Sequence, residues 1–201
     1  FSHPFDPFWL EEMAAFLTEN RMPLLVDASE LNPAELRPVL EAFSQLNIVL
    51  TGASWGQNRF LYPLLEKFSN LYFEISSDQA NEILSVVREH FGIDRALFGT
   101  AWPYKSPGGL KALVEYADLS EQDKDRVAYK NACSLLGIPE NKLLPQPDIL
   151  PDAIARAVDR GEPLRDVLVI DAHTHMVDAR HKTTSSNIML RSGADDIVEK
   201  M

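Results

Sequence analysis

The stretch Asp171-Ala-His173-Thr-His175 sets two histidines on either side of one threonine, directly after the apolar run Val-Leu-Val-Ile at 167–170. Side chains alternate along a strand, so His173 and His175 would share a face. Two neutral imidazoles on one face can grip a Zn2+, Fe2+ or Mn2+ ion, and zinc is the expected one. The pair is an incomplete site. A catalytic ion also needs a carboxylate or further histidines, plus an open position for a water whose acidity it raises. His-x-His also fits two polar histidines on a solvated loop. The buried strand before it and the polar loop at 178–187 after it favour ligands. Asp171 either orients one of the histidines or simply ends the strand.

Such a pair needs an element to deliver it, and the chain reads as helices alternating with strands. Residues 7–20 carry Phe8, Leu10, Met13, Ala14, Phe16 and Leu17 at helical spacing. An apolar strand follows at 22–28, and Asn32-Pro33 opens the next helix as cap and first-turn residue. Further strands are expected at 47–52, 71–76 and 96–100, with helices at 62–68, 79–90, 109–117 and 121–136. Ser77-Asp78 reads as the start of the helix at 79–90, and Ser120 to Asp123 as a near capping box. Strands that are almost wholly apolar between helices imply a parallel sheet covered by helices. A barrel and an open doubly wound sheet both fit. No glycine-rich phosphate loop follows a strand, which weakens a nucleotide-binding reading.

Composition narrows the function classes. The chain has 201 residues, 45% hydrophobic and 24% charged, with a formal net charge of −11. An acidic balance argues against a nucleic-acid partner. The longest apolar runs are strand-length, too short to cross a bilayer as a helix, so no membrane span is expected. A single cysteine, Cys133, excludes an intrachain disulfide and fits a reducing, cytoplasmic compartment. Pro139, Pro145, Pro147 and Pro151 mark a linker at 139–166 that includes a short helix. The chain opens on Phe1 and stops at Met201 within an expected helix, so both ends read as cut from larger units.

Two stretches resemble one family. Val169-Ile-Asp-Ala-His-Thr-His175 is similar to the opening strand, Asp-x-His-x-His, of the amidohydrolase-related metal-dependent hydrolases. Arg95-Ala-Leu-Phe-Gly-Thr-Ala-Trp-Pro103 resembles that family's eighth strand, where Asp usually stands in place of Ala101. Asn131-Ala132 to Leu136-Gly137 resembles its C-terminal helices. The likeness covers residues 10–138 and 167–201 and implies α/β architecture of the (β/α)8 TIM-barrel type. The order is inverted, the first-strand motif following the eighth. A tandem protein explains this: residues 1–138 hold the back half of one barrel, and 167–201 the opening of a second. A circular permutation is the rival account.

The resemblance implies hydrolysis, or in some members decarboxylation, of a small carboxylic or cyclic substrate. His173 and His175 would hold the divalent metal, with the catalytic residues themselves unidentified. It also implies that the first unit is degenerate. Asp27 stands near an expected histidine ligand, Thr51-Gly52-Ala53 replaces a His-x-Gly, and Ala101 replaces the aspartate. A non-catalytic barrel kept as a structural or assembly module is the alternative reading. Asp27 fits a loop or cap role better than a ligand role. Arg59, in the loop at 55–59, is a candidate for binding a substrate carboxylate but fits a surface arginine better. Trp102-Pro103 is expected to pack the barrel rim, Cys133 to sit in the core, and His3, His90 and His181 to be surface or packing residues. The expected partners are a small-molecule substrate and, because half a barrel leaves two unpaired sheet edges, a second copy or missing chain.

Overall fold

A computed structural model describes residues 4–140, apart from 79 and 81, together with positions 153, 156, 157 and 160. The chain divides into two units, and every described strand lies in the first, Phe1–Leu143. Positions 153, 156 and 157, within the expected linker helix, are helical, and Arg160 N–H donates to Arg156 O at 3.1 Å. The strand carrying Asp171, His173 and His175 lies outside the described residues, as do His3 and His181.

Helix α1 spans Pro7–Glu19, β1 Leu24–Asp27, α2 Pro33–Ala42, β2 Ile48–Thr51, α3 Asn58–Lys67, β3 Leu71–Glu74, α4 Ile83–Phe91, β4 Ala96–Leu97 and α5 Pro107–Glu115. The sheet is parallel throughout, in the order β1-β2-β3-β4. Successive strands are therefore neighbours, each joined by a helical crossover. This is the winding of a partial (β/α) barrel, not of an open sheet whose strand order reverses.

Register explains which side is core. Val26, Leu50, Phe73 and Ala96 align across the four strands, and all are buried. Leu36, Leu40, Leu61, Leu65, Ile83 and Leu84 from the helices are buried with them. Each such side chain stabilises the fold by about 1.5–3 kcal/mol on burial. The next row, Leu25, Val49 and Tyr72, faces the opposite side. There Val49 is buried, Tyr72 is half-buried and Leu25 is 61% exposed.

The two sheet edges differ, which corrects the expectation of two unpaired ones. On β4, Phe73 N–H and Ile75 N–H donate to the carbonyls of Arg95 and Leu97, so Ala96 and Phe98 point outward. Those outward groups are in use. Phe98 N–H donates to Val127 O at 3.0 Å, and the Asn131 Nδ2 donates to Ala96 O and Ile93 O, each at 2.8 Å. Asn131 is buried to do this. On β1 the outward residue Leu25 has no backbone partner among the described residues.

Several boundaries move for local reasons. Helix α3 begins at Asn58, earlier than expected, because a 3-10 turn at Trp55–Gln57 leads into it and Gln57 Oε1 accepts from Ser54 N–H. Helix α4 begins only at Ile83, after Glu82 in the left-handed region at φ 59°. Ser77-Asp78 therefore does not start it. The expected helix at 121–136 is α6 (Glu121–Asp125), a π-helical turn (Arg126–Lys130) and α7 (Asn131–Leu136). Ser120 does cap it, its side chain accepting from Asp123 N–H. Asn32 caps α2 in a complete capping box with Glu35.

Candidate functional site

In a parallel (β/α) sheet the carboxyl ends of all strands lie on one side, where the following loops build the site. At those ends stand Asp27 on β1, Thr51-Gly52 on β2, Glu74 on β3 and the segment Gly99 to Ala101 after β4. Asp27 aligns with Thr51, and Glu74 with Leu97.

Asp27 is committed to its own turn. Its Oδ1 accepts from the Ser29 hydroxyl at 2.6 Å and from Ser29 N–H at 2.8 Å. These bonds, the hydroxyl first, hold its carboxyl below the ordinary carboxylate range. The carboxylate leans over β2: a Cβ on Gly52 would stand 3.1 Å from both oxygens, and Gly52 has φ +70°. Glu74 is similarly occupied. Its Oε1 accepts from Ser76 N–H and its Oε2 from the Ser76 hydroxyl, at 2.9 Å for the latter. The Glu74 carboxylate fills the space beside Gly99 that a side chain there would need.

Lys105, from the loop after β4, reaches back to the exit of β3. Its Nζ donates to Ser76 O at 3.1 Å and to Ser77 Oγ at 2.7 Å. Ala101 is held at φ 50°, a region that residues with a Cβ rarely adopt. Its carbonyl accepts from Tyr104 N–H and Lys105 N–H. Arg59 lies exposed in the first turn of α3, its guanidinium 4.7 Å from the Phe60 ring centroid. Trp102 is 72% exposed, so the expected rim packing does not occur. Cys133 is buried and His90 exposed on α4.

One polar cluster at this end is not legible from residue types. Asp78, read in the sequence as a helix start, is fully buried in the loop between β3 and α4. Neither carboxylate oxygen has a hydrogen-bond donor in good geometry, and Asn58 Oδ1, at the start of α3, is also without a partner. Burial pushes the Asp78 carboxyl up to about 6, with the Asn58 amide and the Ala80 N–H opposing the shift. Nearby on α3, burial first and Asp78 second push the Tyr62 phenol up to about 12.

These residues do not fit a family-type metal ion. The two carboxylates at the described strand ends are taken by Ser29 and Ser76, the Ala101 side chain has no donor, and no strand end among the described residues offers a histidine. No grouping of three or more His, Cys, Asp or Glu suited to a metal occurs among the described residues.

The amidohydrolase family profile matches residues 2–138. The chain belongs to the amidohydrolase family. Among solved structures, this family member resembles an uncharacterised TIM-barrel protein from Bordetella bronchiseptica at 21% identity and a TM-score of 0.59, covering 68% of this chain and 53% of that one. It also resembles a dihydroxybenzoic acid decarboxylase from a Polaromonas species, solved with bound manganese and the inhibitor 2-nitroresorcinol. That likeness has 17% identity and a TM-score of 0.51, covering 69% of this chain and 55% of that one. Both support the barrel fold. A taxoid 7-beta-hydroxylase from Taxus cuspidata is 30% identical over 124 residues, which is 61% of this chain and 23% of that protein. The chain thus spans about half the length of these solved relatives and under a quarter of the curated one. No helix among the described residues is long and apolar enough to cross a membrane.

Proposed function

We propose that residues 1–138 are the back half of an amidohydrolase-type barrel that has lost its metal site, and that residues 167–201 open a second barrel. In this reading 139–166 is the linker between them. Its carrying observation is Ala101: where the resemblance expects an aspartate, the left-handed backbone at φ 50° bears a methyl group. The occupied carboxylate of Asp27 points the same way.

The metal-binding function then belongs to His173 and His175, with Asp171 orienting one of them. A divalent ion there would supply Lewis acidity toward a small carboxylic or cyclic substrate, for hydrolysis or decarboxylation. Zinc is the ion the two imidazoles suggest, and the Polaromonas relative, with its manganese, supports a divalent ion of this class. The remaining ligands are not in the described unit, so the 201-residue chain by itself is inactive. The first unit acts as a structural module, its exposed Leu25 edge available to a second copy or to further chain.

Metal analysis of the purified chain tests this. The wild type should bind a divalent ion that His173→Ala/His175→Ala loses, with no turnover of benzoate-type acids or cyclic amides by either. Metal retained by the double variant, or metal-dependent turnover by the isolated chain, would overturn the reading. Zinc and manganese competition decides the ion.

A further inference from the structure

The outer edge of β1 is matched to itself. Leu24 N–H donates to Asn47 O, Ala28 N–H donates to Thr51 O, and Val26 O accepts from the Thr51 hydroxyl, so these groups turn toward β2. In a trans peptide the carbonyl points away from the N–H that follows it. The groups turned outward are therefore Pro23 C=O, Leu25 N–H and C=O, and Asp27 N–H and C=O. The Asp27 carbonyl already accepts from Glu30 N–H at 3.0 Å. Proline has no N–H to offer. Laid antiparallel against a second copy, with a two-fold axis at Leu25, this edge leaves no group short. The two Leu25 residues exchange both of their bonds, and each Asp27 N–H meets a Pro23 carbonyl. The occupied Asp27 carbonyl faces the one residue type that brings no donor.

The helix over this edge is apolar on the same side. On α1, Leu10 and Ala14 are buried, and Glu11, Ala15 and Thr18 line a cavity with Ala42 of α2. Trp9, Met13 and Phe16 follow one another at spacings of four and three, on the flank turned away from α2. Helix α2 leads into β2, so that flank lies on the open side of β1. Trp9 and Phe16 are more than half exposed there, as is Leu25 on the strand. The opposite edge, at β4, is closed by Val127 and Asn131. With one open edge per copy, addition stops at two and does not run on into a filament.

We infer that the first unit pairs with a second copy of this chain through β1, joining the two four-stranded sheets edge to edge in a two-fold dimer. Leu25 then packs against Leu25 at the axis, and the Trp9 and Phe16 flanks of the two α1 helices meet over the junction. The occupant is a second copy because of Pro23. A strand with an ordinary residue opposite Asp27 would bring an N–H to a carbonyl that is already taken, whereas a second copy brings a proline. The inference rests on the reading of the first unit as a structural module and names its partner. It needs no metal at His173 and His175.

Analytical ultracentrifugation of the 201-residue chain tests the pairing. The wild type should sediment as a dimer. Leu25→Lys, at an exposed position, sets two like charges against each other at the axis and should weaken the dimer about tenfold or more. Phe16→Glu should weaken it too, with the circular dichroism of both variants unchanged. Leu25→Cys should cross-link to its counterpart through a short bis-maleimide. Tyr116→Cys, equally exposed at the end of α5 on the β4 side, should not. A monomeric wild type would overturn the inference. So would a dimer indifferent to Leu25→Lys and Phe16→Glu, or equal cross-linking at both cysteines. Should a charged variant fail to fold, the wild-type mass and the two cysteine variants decide the matter. Metal uptake by the same samples separates the two readings: a monomer that binds metal refutes only the dimer, and a dimer that binds none refutes only the metal site.

Discussion

The Glu74 side chain occupies the volume beside Gly99, so the end of β3 and the chain leaving β4 fit together only because one of the two residues has no side chain. Glu74 in turn holds both the N–H and the hydroxyl of Ser76.

Gly99→Ala should therefore dislodge Glu74 and cost about 1–3 kcal/mol, the usual range for overpacking. Urea denaturation should register this as a lower midpoint. Adding Glu74→Ala should recover part of the loss, because the clash disappears with the longer side chain. Equal midpoints for Gly99→Ala and the wild type would show that Glu74 is not confined.

Ala101→Gly should stabilise the fold. A Cβ in the left-handed region costs roughly 1–2 kcal/mol, and the freedom glycine adds to the unfolded chain offsets part of that gain. A net rise of about 1 kcal/mol in thermal or urea unfolding is expected. Ala101→Asp should also be accepted by this backbone, since aspartate tolerates the left-handed region. Made in the His173→Ala/His175→Ala background, it should still bind no divalent ion, because no histidine stands at the strand ends of the described residues. Metal uptake by that triple variant would show that the first unit keeps a latent site.

Stability should fall as pH rises from about 4 to about 6. Asp78 has its carboxyl raised from 3.8 to about 6 by burial, so the folded state binds the extra proton. The stability that this proton contributes is fully present below 3.8 and lost as pH climbs through 6. Raising the carboxyl from 3.8 to about 6 is worth ~3 kcal/mol. Asp27 works with the opposite sign. Its lowered carboxyl contributes stability above its ordinary value that disappears as pH falls through the lowered one. Melting temperatures of the wild type and Asp78→Asn across pH 4–7 should diverge, the wild type alone declining toward neutrality.

Asn131→Ala should cost about 2–3 kcal/mol, because one amide satisfies two buried carbonyls, those of Ile93 and Ala96. Cys133→Ala, on the same helix and also buried, removes only a small apolar contact. It should cost about 1 kcal/mol or less. If the two variants unfold at the same urea concentration, the edge of β4 does not depend on Asn131.

Much of the frame was legible in local chemistry. Asn32-Pro33 announced α2 because a side-chain acceptor and a proline without an N–H both suit a first helical turn, and the structure has the complete box there. The four apolar runs became four parallel strands, since both faces of such a strand need cover. Ser54 and Gln57 could have shown that the loop at 55–59 leads into a helix. That spacing is a capping box, and its omission placed Arg59 in a loop instead of in α3.

Residue type and spacing along the chain were enough to set the alternation of helix and strand, the family, and a side chain without a donor at Ala101. Tertiary structure alone decided that the outward edge of β4 is satisfied by Asn131 and Val127, residues some thirty positions later. It also decided that Asp78 is buried against Asn58 instead of capping a helix. An aspartate after two serines carries the same local signal in either place. Whether it meets water or a closed interior depends on the helices that fold over it.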